Sequence, residues 1–163
     1  MEEIYIKYSK KVYKYLYTLT QDHELSEELM QDTFYSAIKS INNFREDSSI
    51  FSWLCEIAKN KWKNYIRKKS KIKLIEFNDK IESWLIDNNI EDEFLKKDDK
   101  LRLRHEIEKL DEISKEVVYL RINGDLQFKE IGKILNRSEA WARITFYRSK
   151  LKLKEVLNNE TRL

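Results

Sequence analysis

Proline is absent from the 163-residue chain, glycine occurs twice and cysteine once. Proline and glycine interrupt helices and build tight turns, so their scarcity argues against a turn-rich β fold and favours an all-α protein. The single cysteine, Cys55, excludes a disulfide within the chain and is compatible with a reducing compartment. The two histidines, His23 and His105, lie far apart, and neither begins a metal-binding spacing. We therefore predict neither a metal site nor a cofactor.

Long apolar segments are missing as well. No apolar N-terminal stretch follows a basic leader, and no run approaches the roughly 20 apolar residues that span a bilayer. Glycine-rich phosphate loops and nucleophile–base motifs are also absent, so we predict no catalytic residues. Hydrophobic residues make up 41% of the chain, which is enough to bury a core and argues against disorder. These features predict a soluble, cytoplasmic protein without direct membrane insertion.

Charge is abundant and is divided into blocks. Residues 15–38 hold five acids and no Lys or Arg, and residues 59–73 hold eight cations and no acid. Residues 76–99 hold nine acids and three lysines, whereas residues 129–154 hold eight cations and two acids. Blocks of this size indicate several partners or a segmented architecture, although a block of like charge can also be a solvated face.

The N-terminal part predicts three amphipathic helices. In the first, apolar residues recur at helical spacing: Ile4, Tyr8, Val12, Leu16 and Leu19. Asp22 can cap the second helix. Its predicted buried stripe comprises Leu25, Leu29 or Met30, Phe34, Ala37, Ile38 and Ile41, and its outer stripe comprises Glu24, Glu28, Gln31, Asp32 and Tyr35. After a polar loop, Ser48 or Ser49 caps a third helix that continues into the basic run of residues 59–73.

The basic run also contains two aromatic residues, Trp62 and Tyr65. Basic charge attracts the phosphate backbone without regard to sequence, and aromatic rings offer unpaired bases a surface for stacking. A solvated helix end is the alternative, because cations also complement the helix dipole there.

The C-terminal third predicts a helix-turn-helix. Leu103, Ile107 and Leu110 mark one helix, and Ser114 is the predicted cap of the next, which ends at the turn 123–125. A short helix over about residues 127–135 and the turn 136–138 precede a final helix. Ser138 caps this helix, which extends to about residue 157 and carries most of the cations.

Two faces can be distinguished on the final helix. One face, predicted to pack inward, comprises Ala142, Phe146, Ser149 and Leu153, and the other comprises Arg143, Ile144, Tyr147 and Arg148. Arginine can bind guanine edges through two hydrogen bonds, and Ile and Tyr can contact a thymine methyl group. An ordinary solvated surface is the alternative, and Trp141 could either pack on the preceding helix or face DNA.

Two blocks of the sequence resemble extracytoplasmic-function (ECF) sigma factors. The first block comprises residues 26–34, 44–49 and 53–60, similar to their core-polymerase-binding helix, promoter-melting loop and following helix. The second block resembles their C-terminal helix-turn-helix and comprises residues 110–120, Gly124, residues 130–132 and residues 138–148. The chain departs from the usual family residues at a few positions: Asp111 replaces Pro, Gln127 replaces Ser or Thr, Trp141-Ala142 replaces Thr-Val, and Asn64 replaces Asp.

The resemblance implies a bacterial transcription initiation factor with two small helical domains. Residues 1–73 would form a sigma-2-like domain, residues 74–99 an acidic linker and residues 100–163 a sigma-4-like domain. The implied partners are core RNA polymerase, promoter DNA and a membrane-anchored anti-sigma factor, and the free protein would be a monomer.

The resemblance also implies three sets of binding residues. The polymerase-binding set comprises Glu27, Glu28, Gln31, Asp32 and Tyr35. The minus-ten set comprises Phe44, Arg45, Ser48, Ser49, Lys59, Asn60, Lys63, Asn64, Arg67 and Lys68. The minus-thirty-five set comprises Arg137, Ser138, Glu139, Trp141, Arg143, Ile144, Tyr147 and Arg148.

Two other functions are compatible with parts of the sequence. A stand-alone helix-turn-helix regulator would explain residues 138–154 but would leave the acidic helix and the basic run without roles. A helical protein that sequesters a partner through its acidic helix would explain the charge blocks but not the exposed face of the final helix.

Overall fold

The computed structural model describes residues 1–71 and 97–160, and within these ranges it contains α-helices, one short 3-10 helix and no strand. The α-helices are α1 (Glu2–Thr20), α2 (His23–Ser40), α3 (Ile50–Lys71), α4 (Lys97–Glu108), α5 (Glu112–Ile122), α6 (Phe128–Leu135) and α7 (Glu139–Glu160), and the 3-10 helix is Ile41–Asn43. The all-α prediction is confirmed. None of the described helices is long and apolar enough to cross a membrane.

The chain divides into two compact units, the first containing α1–α3 and the second α4–α7. Almost all of the predicted linker, residues 74–99, lies outside the described residues. Its limits therefore stay a prediction, and α4 begins at Lys97.

In the first unit, α1, α2 and α3 each pack against the other two. Their shared core contains Val12, Tyr15, Leu16, Tyr17, Leu29, Met30, Phe34, Ala37, Phe51, Leu54, Cys55 and Ala58. The buried Thr33 hydroxyl is satisfied within α2, because its Oγ1 donates to the Leu29 carbonyl at 2.7 Å. Asp22 caps α2 as predicted, because its carboxylate accepts the Leu25 N–H at 2.9 Å.

The predicted burial of Ile38 is wrong, because 55% of this residue is exposed. The buried face of α2 runs through Met30, Thr33 and Ala37. Ile38 follows Gln31 by seven positions and therefore lies on the outer face instead. Thr33 fills the core position that periodicity of apolar residues alone does not reveal.

The second unit has its own core, formed where α4, α5 and α6 pack against α7. It contains Ile107, Val117, Val118, Tyr119, Leu120, Leu126, Ile131, Ile134, Ala142 and Leu153. The cap predicted at Ser114 is wrong, since α5 begins two residues earlier. Asp111 caps the helix, and its carboxylate oxygens accept the Ser114 N–H at 3.1 Å and the Ser114 hydroxyl at 2.7 Å.

The turn between α6 and α7 sets the angle of the predicted helix-turn-helix. Asn136 ends α6 in the left-handed conformation with φ 54°, and the Arg137 N–H donates to the Gly132 carbonyl at 2.8 Å. A Cβ on Gly132 would lie 2.7 Å from the Arg137 carbonyl oxygen, so this close approach requires glycine. Ser138 caps α7 as predicted, accepting the Trp141 N–H at 3.1 Å.

Candidate nucleic-acid and protein interfaces

The outer side of α2 presents an acidic face, which comprises Glu24, Glu27, Glu28, Gln31, Asp32 and Tyr35. All six residues are exposed. Among the described residues neither Glu28 nor Asp32 is paired with a cation. Tyr35 at the far end is 58% exposed, and the Lys39 ammonium lies 4.1 Å from its ring centroid. The face therefore offers uncompensated carboxylates beside an exposed aromatic ring, which suits a basic protein surface.

Aromatic contacts tie the start of this helix to α1. The His23 ring stacks on Tyr17 with centroids 4.7 Å apart, and His23 Nδ1 shares a hydrogen bond of 2.6 Å with the Tyr13 hydroxyl. Burial, followed by the nearby Tyr17, Glu27 and Asp22, raises the pKa of Tyr13. These contacts hold the acidic face in a fixed orientation relative to α1.

The loop before α3 is anchored at both ends. The Phe44 ring packs on Trp53 with centroids 5.1 Å apart, and Ser49 caps α3 by accepting the Ser52 N–H at 3.1 Å. Phe44 and Ser49 thus have structural roles in addition to any role in binding. Arg45 is exposed and Ser48 is half-buried in this loop.

One side of α3 forms a basic face, which comprises Lys59, Asn60, Lys63, Asn64, Arg67 and Lys68. Helical spacing places these residues within about half of the helix circumference. All are exposed except Lys59, which is half-buried. Arg67 donates from Nη2 to the Asn64 side-chain oxygen at 3.0 Å, so part of the amide is already bonded. The structure brings together the α3 part of the predicted minus-ten set.

Trp62 and Tyr65 face away from the basic face. Their rings stack with centroids 5.8 Å apart and line a cavity of about 350 Å³ with Asp22, Leu25 and other residues at the α1–α2 turn. The two aromatic residues continue the buried side of α3 beyond the core. The expectation that they present a stacking surface next to the basic residues is therefore not supported by their positions.

The two predicted faces of α7 are confirmed. Ala142, Ser149 and Leu153 are buried and Phe146 is half-buried, whereas the opposite side is exposed: Arg143, Ile144, Tyr147 and Arg148. Trp141 is half-buried, and the Arg137 guanidinium carbon lies 5.6 Å from its ring centroid. The predicted minus-thirty-five residues thus lie on α7 and on the turn that precedes it.

Arg143 is held by neighbours on two elements. Its Nη2 donates to Glu139 Oε1 at 2.7 Å, one turn earlier on α7, and its guanidinium carbon lies 5.7 Å from the Phe128 ring centroid. Phe128 belongs to α6 and was not among the predicted binding residues. In the sequence, the only feature that distinguishes Phe128 is its position shortly after the turn 123–125. Among the described residues, no cluster of His, Cys, Asp and Glu is placed to hold a metal.

The chain is similar in sequence to known proteins. Residues 4–72 match the Sigma-70 region 2 family. The chain is 29% identical to the ECF RNA polymerase sigma factor SigM of Bacillus subtilis, with 97% of this chain and 95% of the relative covered. It is 31% identical to the RNA polymerase sigma factor YlaC of the same organism, with 95% of this chain and 90% of the relative covered.

Two solved structures share the fold. Sigma factor RpoE, crystallised with the anti-sigma factor NepR from Bartonella quintana, matches with a TM-score of 0.69 and 17% identity over 96% of both chains. CnrH, solved in complex with the cytosolic domain of CnrY, matches with a TM-score of 0.61 and 18% identity, covering 97% of this chain and 87% of CnrH. The sequence relatives, which match nearly the whole chain, confirm the family resemblance seen in the sequence, and the chain belongs to the ECF RNA polymerase sigma factors.

Proposed function

We propose that this chain binds core RNA polymerase through the acidic face of α2 and directs it to promoters through α3 and α7. Sigma factors are non-catalytic transcription initiation factors, and this family membership is the observation that carries the proposal. The described surfaces support a division of labour, because the acidic block lies mostly on α2, the first basic block on α3 and most of the second basic block on α7.

The acidic face supports docking on a basic polymerase surface. Opposite charges speed the encounter and select the partner, while the exposed Tyr35 supplies the kind of aromatic contact that often dominates binding energy. A solvated acidic face would explain the charges. It would not explain why they lie in a segment that matches Sigma-70 region 2.

For the minus-ten element, we propose that the basic face of α3 binds phosphates and that the loop before it contacts an extruded base. Lys59, Lys63, Arg67 and Lys68 supply charge, and Asn60 and Asn64 supply paired donors and acceptors one turn apart. In the loop, the exposed Arg45 supplies a further cation and the half-buried Ser48 a hydroxyl group.

For the minus-thirty-five element, we propose that α7 enters the major groove. Arg143 and Arg148 would bind guanine edges, while Ile144 and Tyr147 would contact thymine methyl groups. Arg137, Ser138, Glu139 and Trp141 lie at the start of the helix, where side chains and backbone N–H groups meet phosphates.

The solved relatives support a proposal that a second protein regulates this chain. RpoE and CnrH are each described in complex with a partner, and for RpoE this partner is named as an anti-sigma factor. We propose that a membrane-anchored anti-sigma factor likewise binds this chain and keeps it from polymerase until a signal arrives. A stand-alone DNA-binding regulator is not favoured, because it would leave the acidic face without a partner.

The test is competition for purified core polymerase followed by run-off transcription. The Glu28→Lys/Asp32→Lys variant should bind core enzyme roughly tenfold or more weakly, because each change places a cation opposite a basic surface. A matched control, Glu112→Lys/Glu155→Lys, reverses two exposed charges in the second unit and should compete like the wild type. Full competition by the Glu28/Asp32 variant, with unchanged helix content, would show that the docking assignment is wrong.

A further inference from the structure

Phe128, the first residue of α6, lies beside two guanidinium groups. Its ring centroid is 4.6 Å from the guanidinium carbon of Arg121 and 5.7 Å from that of Arg143. Both distances fall within the roughly 6 Å over which a cation is attracted to an aromatic face. Arg121 lies near the end of α5 and Arg143 on the exposed face of α7, so one ring links three helices.

The ring is itself held in place. Arg121 donates from Nη1 to the Leu126 carbonyl at 2.8 Å, which fixes the guanidinium at the turn between α5 and α6. On the other side, Phe128 contacts Phe146 with centroids 5.6 Å apart and Tyr147 with centroids 6.1 Å apart. Phe146 packs against the buried cluster of Ile107, Val118 and Leu153. Phe128 therefore connects the exposed face of α7 to the core of the second unit.

Glu139 restrains Arg143 as well. The ion pair between Arg143 and Glu139 measures 2.7 Å, and the two side chains are 56% and 48% exposed. Pairs this exposed contribute little to stability. An arginine side chain, however, loses rotamer entropy when it is immobilised. Restraint before binding reduces that cost, so Phe128 and Glu139 together prepare Arg143 for a ligand with defined geometry.

We infer that Phe128 is a positioning residue that sets the base specificity of Arg143. The inference rests on the proposed function, in which α7 reads the upstream promoter element. Phe128 holds the guanidinium so that its paired donors meet a guanine edge, without contacting the base itself. If Phe128 had a purely structural role, its replacement would lower stability. It would also weaken binding to every DNA sequence by the same factor.

The experiment measures binding of polymerase holoenzyme to promoter duplexes. The reference duplex is selected by the wild-type holoenzyme from a random upstream region, and in a series of competitors each upstream G·C pair is replaced by A·T. Phe128→Leu keeps apolar bulk but removes the aromatic face. We expect discrimination at one guanine to fall about fivefold or more. Affinity for a scrambled upstream region and its salt dependence should remain unchanged, and Phe128→Tyr should retain discrimination.

Two comparisons separate the possible causes. Arg143→Ala should lose discrimination at the same guanine, and adding Phe128→Leu to it should cause no further loss. Ile107→Val, which alters the buried cluster formed with Val118 and Leu153, should lower thermal stability and leave discrimination intact. The positioning role is wrong if Phe128→Leu keeps full discrimination or if its effect persists in the Arg143→Ala background. If Arg143→Ala itself keeps discrimination, the base-reading assignment of α7 fails first, and the role of Phe128 fails with it.

Discussion

At the scale of single residues, Gly132 controls the approach of α6 to the start of α7. An added methyl group would meet the Arg137 carbonyl oxygen at 2.7 Å and Ser138 backbone atoms at 3.0 Å. Overpacking costs about 1–3 kcal/mol, and a clash with backbone belongs to the upper part of this range, so the gain in helix propensity of about 1 kcal/mol offsets only part of it. We expect Gly132→Ala to lower the free energy of unfolding by about 1–2 kcal/mol.

Urea unfolding followed by circular dichroism measures this change. Lys129→Ala, at an exposed position of α6, is the control and should stay within about 0.5 kcal/mol of the wild type. A Gly132→Ala variant as stable as the control would mean that the turn can relax without cost.

Two departures from the usual family residues also have local explanations. Asp111 provides the cap of α5, and the Gln127 N–H donates to the Glu130 carboxylate at 2.9 Å at the start of α6. Asp111 satisfies a donor at the start of α5 with its own side chain. At the start of α6 it is Glu130 that satisfies the Gln127 N–H, and this bond does not depend on which side chain stands at position 127.

At the scale of elements, α3 combines a buried first half with a basic face on its second half. Because Lys63 and Lys68 carry charge without sequence information, Lys63→Ala/Lys68→Ala should weaken holoenzyme binding to all promoters alike. The slope of log affinity against log salt should become shallower by about one for each phosphate that the variant no longer neutralises. Titration at several salt concentrations checks this, with Lys10→Ala on α1 as a control that leaves the slope unchanged.

Asn60, on the same face of α3, should behave differently from the lysines. If it contacts an extruded base, Asn60→Ala should reduce promoter opening more than formation of the closed complex, because that base is exposed only after melting. Permanganate reactivity reports opening, and a gel-shift assay of the unmelted complex reports binding. Equal loss in both assays would assign Asn60 to duplex contacts instead.

At the scale of the whole molecule, two compact units each carry one candidate DNA-binding face. Linking two binding surfaces in one chain raises affinity only when both can engage together. Inserting five base pairs between the promoter elements rotates one of them by about half a helical turn. We expect promoter-specific transcription to fall roughly tenfold or more, to the level of a promoter without an upstream element.

Single-round run-off transcription measures the spacer effect. A substitution of the spacer sequence that keeps its length is the control and should have little effect. Unchanged output after the five-base-pair insertion would mean that the two faces do not act on one promoter at the same time.

Local features of the sequence predicted much of the fold. Helical periodicity and caps at Asp22, Ser49 and Ser138 depend on residues three or four positions apart, which the sequence displays directly. The exposed acidic face of α2 and the two faces of α7 follow from the same spacing. For this reason the helices, and many of the candidate binding residues, could be predicted without knowledge of tertiary contacts.

Tertiary packing decided the remaining features. Helical periodicity places Ile38 near the edge of the apolar stripe of α2. Only the positions of α1 and α3 determine whether a residue at that edge is buried. The direction of Trp62 and Tyr65 likewise depends on the α1–α2 turn, which lies far earlier in the sequence. The contacts of Phe128 with Arg121 and Arg143 join three helices, and no local sequence pattern predicts them. Side chains distant in sequence interact only after the backbone has brought their helices together, so these contacts belong to the folded protein alone.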